Sequence, residues 1–516
     1  MGKLIGKIVE AQTGRIVPAR LYVVAADGMR YYPTPSLAHP AKRELEGHVI
    51  TFDKPFEAEL PAGAAKVRIE RGPEFHPIDA ELVIPADSDV ERTFELRRWI
   101  DMAGQGWYSG DLHTHRRLAD MHALQLGEDV NFAMPLTLWE GRVRDPDIAM
   151  FAQHATPHGE VRIDDRHSFT IYNVEYEPAR SPTGAVLLMG MDSLIEGGNP
   201  PPLGTLCDQA HQRGGFVDME KHSWAWAPVL AATGKCDVFE LANNHHWREK
   251  CLYIDFEVPM RSLKAEYPET IEGWTLYGFD SWYAYLNCGF YLAPIAGTAN
   301  GVHPNPFGHN RVYVNLGTPK PNTAPISARV WQQSMLRGAS FVTNGPMLFL
   351  EVAQRQTTDR YQPGTEIRLR GSAQLDCHVL LRSLARPERL ELVKGGEVVH
   401  SWRTDVSRDD NGVYEIDQHC DLTVDSTTYL AARVFVEPPD RTTTRFAHTG
   451  IVRVSVPGKP LLPRQFEVDH FSRRALSMIA EIKEGKLKAG DAATALAEYE
   501  RAAAAYHRLA TNVRTP

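Results

Sequence analysis

Long apolar runs are missing from this chain. None of its 516 residues belongs to a stretch near the roughly 20 needed to cross a bilayer, so no membrane span is expected. Cysteine is scarce: Cys207, Cys236, Cys251, Cys288, Cys377 and Cys420 are scattered, and none stands in a Cys-x-x-Cys pair. That scatter fits reduced thiols in a cytoplasm better than a disulfide framework, with a Cys377–Cys420 bridge as the open alternative. No charge sign dominates either; 56 Lys and Arg stand against 65 Asp and Glu, a net −9, which argues against a general nucleic-acid surface. The opening Met1 to Lys7 has neither an apolar core nor a small-residue cleavage site, so no signal peptide is expected. Walker loop, Rossmann glycine fingerprint and Gly-x-Ser-x-Gly elbow are all absent, which leaves nucleotide hydrolysis and serine catalysis without support.

What is present centres on Trp107 to His115. Asp111 is followed at +2 and +4 by His113 and His115, at the expected end of a strand. Residues two apart on a strand project to one face, so both imidazoles can grip the same cation. A His-x-His pair alone is weak evidence, because many such pairs are solvated strand residues. The surrounding order of elements strengthens it.

Residues 1–98 read as short strands: Leu4–Val9, Ala19–Ala25 with a hairpin at Asp27-Gly28, Phe56–Leu60, Ala65–Glu70 and Glu81–Ile84. That spacing predicts a small β-sandwich. From 99 to 346 the texture becomes alternating strand and helix, predicting a parallel sheet or irregular β/α barrel with its site at the strands' carboxyl ends. Residues 347–458 return to strands, read as a second β-sandwich. In 459–516, Phe471, Ala475, Met478, Ile479 and Ile482 recur at helical spacing, and Asp491 is placed as the cap of a last helix. The stripe suits a docking or dimer surface, and homo-oligomerisation is carried as an expectation. The fold class expected is therefore multidomain α/β plus β.

Several ordered blocks carry a family resemblance: GDLHTH at 110–115, GEDVNFAMPLTLW at 127–139, AHQRGGFVDMEK at 210–221, DVFELANNH at 237–245, 286–314, and GASFVTNGP at 338–346. Together they resemble the polymerase-and-histidinol-phosphatase (PHP) superfamily of metallohydrolases, more narrowly its carbaryl-hydrolase-like branch. The run from Gly6 to Val23 resembles a prealbumin-like or carboxypeptidase-regulatory-like domain. The resemblance implies a distorted β/α barrel holding one to three divalent ions and hydrolysing phosphate esters or, in this branch, carbamates and amides. Departures are as informative. An Asp-His pair of the family falls on Thr137-Leu138-Trp139, a Gly-His on Gly184-Ala185, a His on Lys221 and an Asp on Ala299. The family's trinuclear site cannot be built from these residues.

What survives points to one metal, zinc first with manganese or iron as alternatives. His113 and His115 form its floor and His245 is its third ligand, leaving one position open for water. Asp111 and Glu175 are assigned as carboxylates behind the ligands, Glu175 also standing where the family has an acidic ligand. Glu220 has two readings, general base or partner of Lys221. Lys221 is read as a cation replacing a metal or binding an anionic substrate, with carbamylation as a further option. Arg116, Asn244 and Trp224 are assigned to substrate, while His303 and His309 are read as loop residues. The expected reaction is attack of metal-activated water on an amide, carbamate or ester of a small molecule. One rival is a lyase or glycoside-cleaving enzyme using Lys221 and Glu220 as acid and base. Another is a degenerate barrel that binds carbohydrate or protein without catalysis. No nucleic-acid or membrane partner is expected.

Overall fold

A computed structural model describes residues 1–42, 45–139, 143–177, 185–195, 203–248, 263–264, 267, 270–318, 324–355, 357–438, 443–486 and 492–514. The expectations placed on Gly184, Cys251 and Asp491 lie outside these residues. The chain is strand-rich, with mixed α/β content and several sheets. No described helix is long and apolar enough to cross a membrane.

Period-two alternation organises the N-terminal region. Phe56, Ala58 and Leu60 point inward while Glu57 and Glu59 face solvent. Gly2–Glu10 pairs antiparallel with Phe56–Leu60 and parallel with Asp89–Leu96. Arg20–Val24, flanked by His48–Thr51 and Gly63–Glu70, belongs to a second sheet. Both sheets drive their apolar residues, among them Leu4, Val67 and Phe94, into one core. The Asp27-Gly28 hairpin forms as its sequence predicts. Gly28 takes a left-handed φ of 76° and Val23 pairs with Tyr31.

Two sheets position the centre. The first runs from Glu160–Arg162 through Ser168–Thr170, Phe132–Pro135, Trp107–Thr114 and Arg311–Asn315 to Ser340–Thr343. The second runs through Leu138–Trp139, Val174–Tyr176, Val186–Met189, Phe216–Met219 and Val238–Ala242 to Ala293–Ala296. Parallel pairs carry the expected grammar at Trp107–Thr114 with Phe132–Pro135 and at Phe216–Met219 with Val238–Ala242. Antiparallel pairs interrupt it, as where Arg311–Asn315 meets Trp107–Thr114 and Val186–Met189 meets Phe216–Met219. The parallel sheet of the sequence reading is therefore a mixed one. Thr114 and Asn300 bridge where the sheets approach, but no ladder among the described residues closes them into a barrel.

The strands beyond residue 346 divide between the first central sheet and a separate one. Arg445–Thr449 pairs with Ser340–Thr343, and Thr428–Val436, Pro387–Lys394 and Glu397–Trp402 extend the same sheet outward. Met347–Gln354, Ala373–Ser383 and Tyr414–Val424 make a separate three-stranded sheet. Its Leu350, Val379 and Ile416 share a core with Leu392 and Val434 of the extension and with Trp107.

Two helical features pack beside this centre. One helix runs over Ile271–Asn287, with Thr270 Oγ1 accepting from the Gly273 amide at 3.1 Å. It is buried on nearly every side, so no amphipathic stripe announces its start. The C-terminal stripe packs against the chain itself. Phe471 stacks on Tyr285 at 4.3 Å, and Tyr506 donates to the Pro228 carbonyl at 2.7 Å.

Candidate metal centre

Every residue of the Trp107–Thr114 strand is buried, and its carboxyl end carries the two histidines into the space between the sheets. His113 Nδ1 lies 2.9 Å from Glu240 Oε1, on the Val238–Ala242 strand of the facing sheet. A carboxyl oxygen at that distance accepts a hydrogen bond from Nδ1–H and leaves the Nε2 lone pair as the ligating one. His113 Nε2 faces His115 Nε2 at 3.2 Å, and His115 Nε2 lies 3.3 Å from Glu175 Oε2. One donor atom from each of these three residues falls within 4.8 Å of the others. A tetrahedral ion with bonds of about 2.0–2.1 Å sets its ligands about 3.3 Å apart. Two imidazole nitrogens and one carboxylate at these spacings fit a divalent transition metal, with one position open.

Electrostatics prepare the same atoms. Burial, then His113, His303 and Lys221, hold the His115 imidazole well below its ordinary pKa and therefore in the neutral, ligating form. Burial and then Glu220 push Glu175 up to about 8. Glu240 is raised well above the usual carboxylate range by burial and then Glu220. Asp218, on the neighbouring strand, is raised likewise by burial and then Glu240. Asp218 Oδ1 and Oδ2 and Glu240 Oε2 are buried without a hydrogen-bond partner. A cation would relieve this crowd of buried acids.

Beside the centre stands the Glu220–Lys221 pair. Lys221 Nζ contacts Glu220 Oε1, which also accepts from Asn244 Nδ2 at 3.2 Å, while Trp224 Nε1 donates to Oε2 at 3.0 Å. Lys221 Nζ also sits 4.7 Å from the Trp224 ring centroid. Burial alone would raise Glu220, but Lys221 and then His113 hold it below its ordinary value. Of the two readings of Glu220, the pairing with Lys221 is the contact present.

The remaining sequence assignments separate. His245 stacks on Trp274 with centroids 5.3 Å apart and is not part of the His113–His115–Glu175 group; the third place in that group belongs to Glu175. Asp111 reaches His113 only through the backbone amide, at 3.2 Å. Its other bonds, from Thr298 Oγ1 at 2.5 Å, the Thr298 amide at 3.2 Å and the Gly308 amide at 2.9 Å, tie down the loop after Ala293–Ala296. In that loop Ala299 adopts φ 46°, a strained conformation for alanine, and donates its amide to the His113 carbonyl at 2.7 Å. Arg116 is engaged by Asn300 Oδ1 at 2.6 Å. His309 lies 3.0 Å from Arg445.

Sequence reasoning passed over Glu240, Asp218 and the placing of His303. Trp247 donates to His303 Nδ1 at 3.1 Å, and burial, then Lys221 and His113, lower its pKa to about 4. The signal for the acids was present: Asp218 with Glu220, and Glu240 with Asn244, keep the strand period that put His113 and His115 on one face. Replacing Glu240 by Gln is expected to weaken metal binding about 10- to 100-fold, read by competition with a chromogenic chelator. Unchanged affinity would remove Glu240 from the orienting role. No protein-family model matches the chain, and no curated protein matches it.

Proposed function

We propose that this chain is a metal-dependent hydrolase of a small amide, carbamate or ester, in keeping with its resemblance to the carbaryl-hydrolase-like branch of the PHP superfamily. The observation that carries this reading is the convergence of His113 Nε2, His115 Nε2 and a Glu175 oxygen at the end of a buried strand. A divalent ion there would supply Lewis acidity and lower the pKa of a water. Glu240 holds His113 in its ligating tautomer, and the Asp111–Thr298 contacts hold the loop that caps it. Lys221 contributes a positive charge beside the centre, suited to negative charge developing on a substrate. Trp139, 4.9 Å from the His115 ring centroid, and Trp224 provide apolar surface for a ring or alkyl group.

The Glu220–Lys221 contact also favours a second reading, a lyase in which this pair moves the proton. Lys221→Met separates the two. Under hydrolysis, turnover of aryl carbamates, anilides and esters falls by roughly 10²- to 10³-fold with metal retained, the cost of removing one stabilising donor. Complete loss of turnover with metal retained favours the lyase. Loss of the metal makes Lys221 a ligand, and no hydrolysis by the metal-loaded wild type across the three bond classes would discard the hydrolase reading.

A further inference from the structure

The three-stranded sheet that follows the central region carries a second cluster of metal-ligating side chains. Ala373–Ser383 and Tyr414–Val424 pair antiparallel, with His378 opposite His419, Leu380 opposite Asp417 and Asp376 opposite Asp421. Alternation buries Cys377 and Val379 and turns Asp376 and His378 outward. On the partner strand Asp417 and His419, two residues apart, share the outward face. Three candidate ligands therefore meet on one exposed surface, Asp417 and His419 from one strand and His378 from the strand across.

The distances bear this out. His378 Nε2 lies 2.8 Å from Asp417 Oδ1, and the His378 and His419 rings stack with centroids 4.3 Å apart and planes 11° from parallel. One donor atom from each of His378, Asp417 and His419 falls within 4.8 Å of the others. Asp376 supplies an independent observation: its two oxygens lie 3.0 and 3.1 Å from His419 Nδ1. It accepts a hydrogen bond from Nδ1–H and leaves the Nε2 lone pair free, the arrangement that orients a histidine ligand. Asp376, Asp417 and Asp421 add negative charge to the same face, answered at Asp421 by Arg355 at 3.4 Å.

We propose that His378, Asp417 and His419 form a surface site for a borderline divalent transition metal such as Zn²⁺, Ni²⁺ or Cu²⁺. Two imidazoles and one carboxylate select these ions over Mg²⁺ and Ca²⁺, which take oxygen ligands. Asp376 is a positioning residue. The cation replaces the proton shared by His378 and Asp417 and pins the two strands across their exposed face. Half-exposed ligands leave room for waters to complete the shell; His378 is 28% and His419 58% accessible.

The test uses full-length protein stripped with chelator and titrated with ZnCl₂ by calorimetry. Wild type is expected to take one equivalent more than H378A/H419A and than H378Q/H419Q, and D376N to keep the stoichiometry while losing about 10- to 100-fold in affinity. Untagged wild type should also bind immobilised Ni²⁺ resin better than either double variant, a readout the buried His113–His115 centre cannot mimic. The metal-free melting temperature checks each variant's fold, since these side chains are exposed. Equal stoichiometry and equal retention in wild type and the folded variants would overturn the proposal. Neither result bears on the central site, whose equivalent both double variants retain.

Discussion

Changing His113 and His115 together to alanine is expected to empty the central site and end turnover. Wild type should carry about one equivalent of transition metal there, set by three protein ligands and one open position. The variant loses two of three ligands, and Glu175 alone cannot hold a borderline ion. The lost transition-state stabilisation is several kcal/mol, at roughly 1.4 kcal/mol per factor of ten about a thousandfold in rate or more. Metal content by mass spectrometry and hydrolysis rates on one preparation read both effects. Glu240 also loses the ring nitrogen that sits 2.9 Å from its Oε1, so some stability loss accompanies the change. His115→Ala leaves that bond in place and isolates the metal effect. Full metal content at this site in the double variant would refute the assignment of His113 and His115 as ligands.

Arg20→Met should have the largest effect on stability. Arg20 is 6% exposed and joins the N-terminal sheets to the Met121–Glu128 helix, with Nη1 2.6 Å from Glu128 Oε1 and Nη2 against Glu70. Glu70 in turn accepts from Arg248 Nη1 at 2.5 Å. Removing one partner of a buried ion pair leaves the others uncompensated, at a cost of about 3–5 kcal/mol. Urea unfolding measures it, and Glu128→Gln in the Arg20→Met background should add less than it does alone. The same acid gives a pH signature. Burial, against the pull of Arg20 and Arg311, pushes Glu128 up from its ordinary 4.5 to about 7. Its protonation therefore adds stability that is complete below pH 4.5 and is lost as pH rises through about 7. Glu128→Gln should flatten that slope; a slope unchanged in the variant would locate it elsewhere.

Much of the architecture was legible locally. Phe56–Leu60 occupies the residues its pattern marks, because alternation and bounding turns are properties of neighbouring residues. The stripe at Phe471, Ala475, Met478, Ile479 and Ile482 is the buried face of the Gln465–Lys483 helix. What that face packs against was not legible, since Tyr285 lies far back in the chain.

The central site divides along the same line. By itself the sequence determined that His113 and His115 share a face, because a two-residue period needs no tertiary information. Only the tertiary structure brings Glu175 beside them, stacks His245 on Trp274 and sets Glu240 behind His113. It also decided that Pro387–Lys394, Glu397–Trp402, Thr428–Val436 and Arg445–Thr449 extend the central sheet through Ser340–Thr343. These pairings join residues tens to more than a hundred positions apart. Local periodicity shows which face a side chain takes; which other face it meets is set by how the sheets pack.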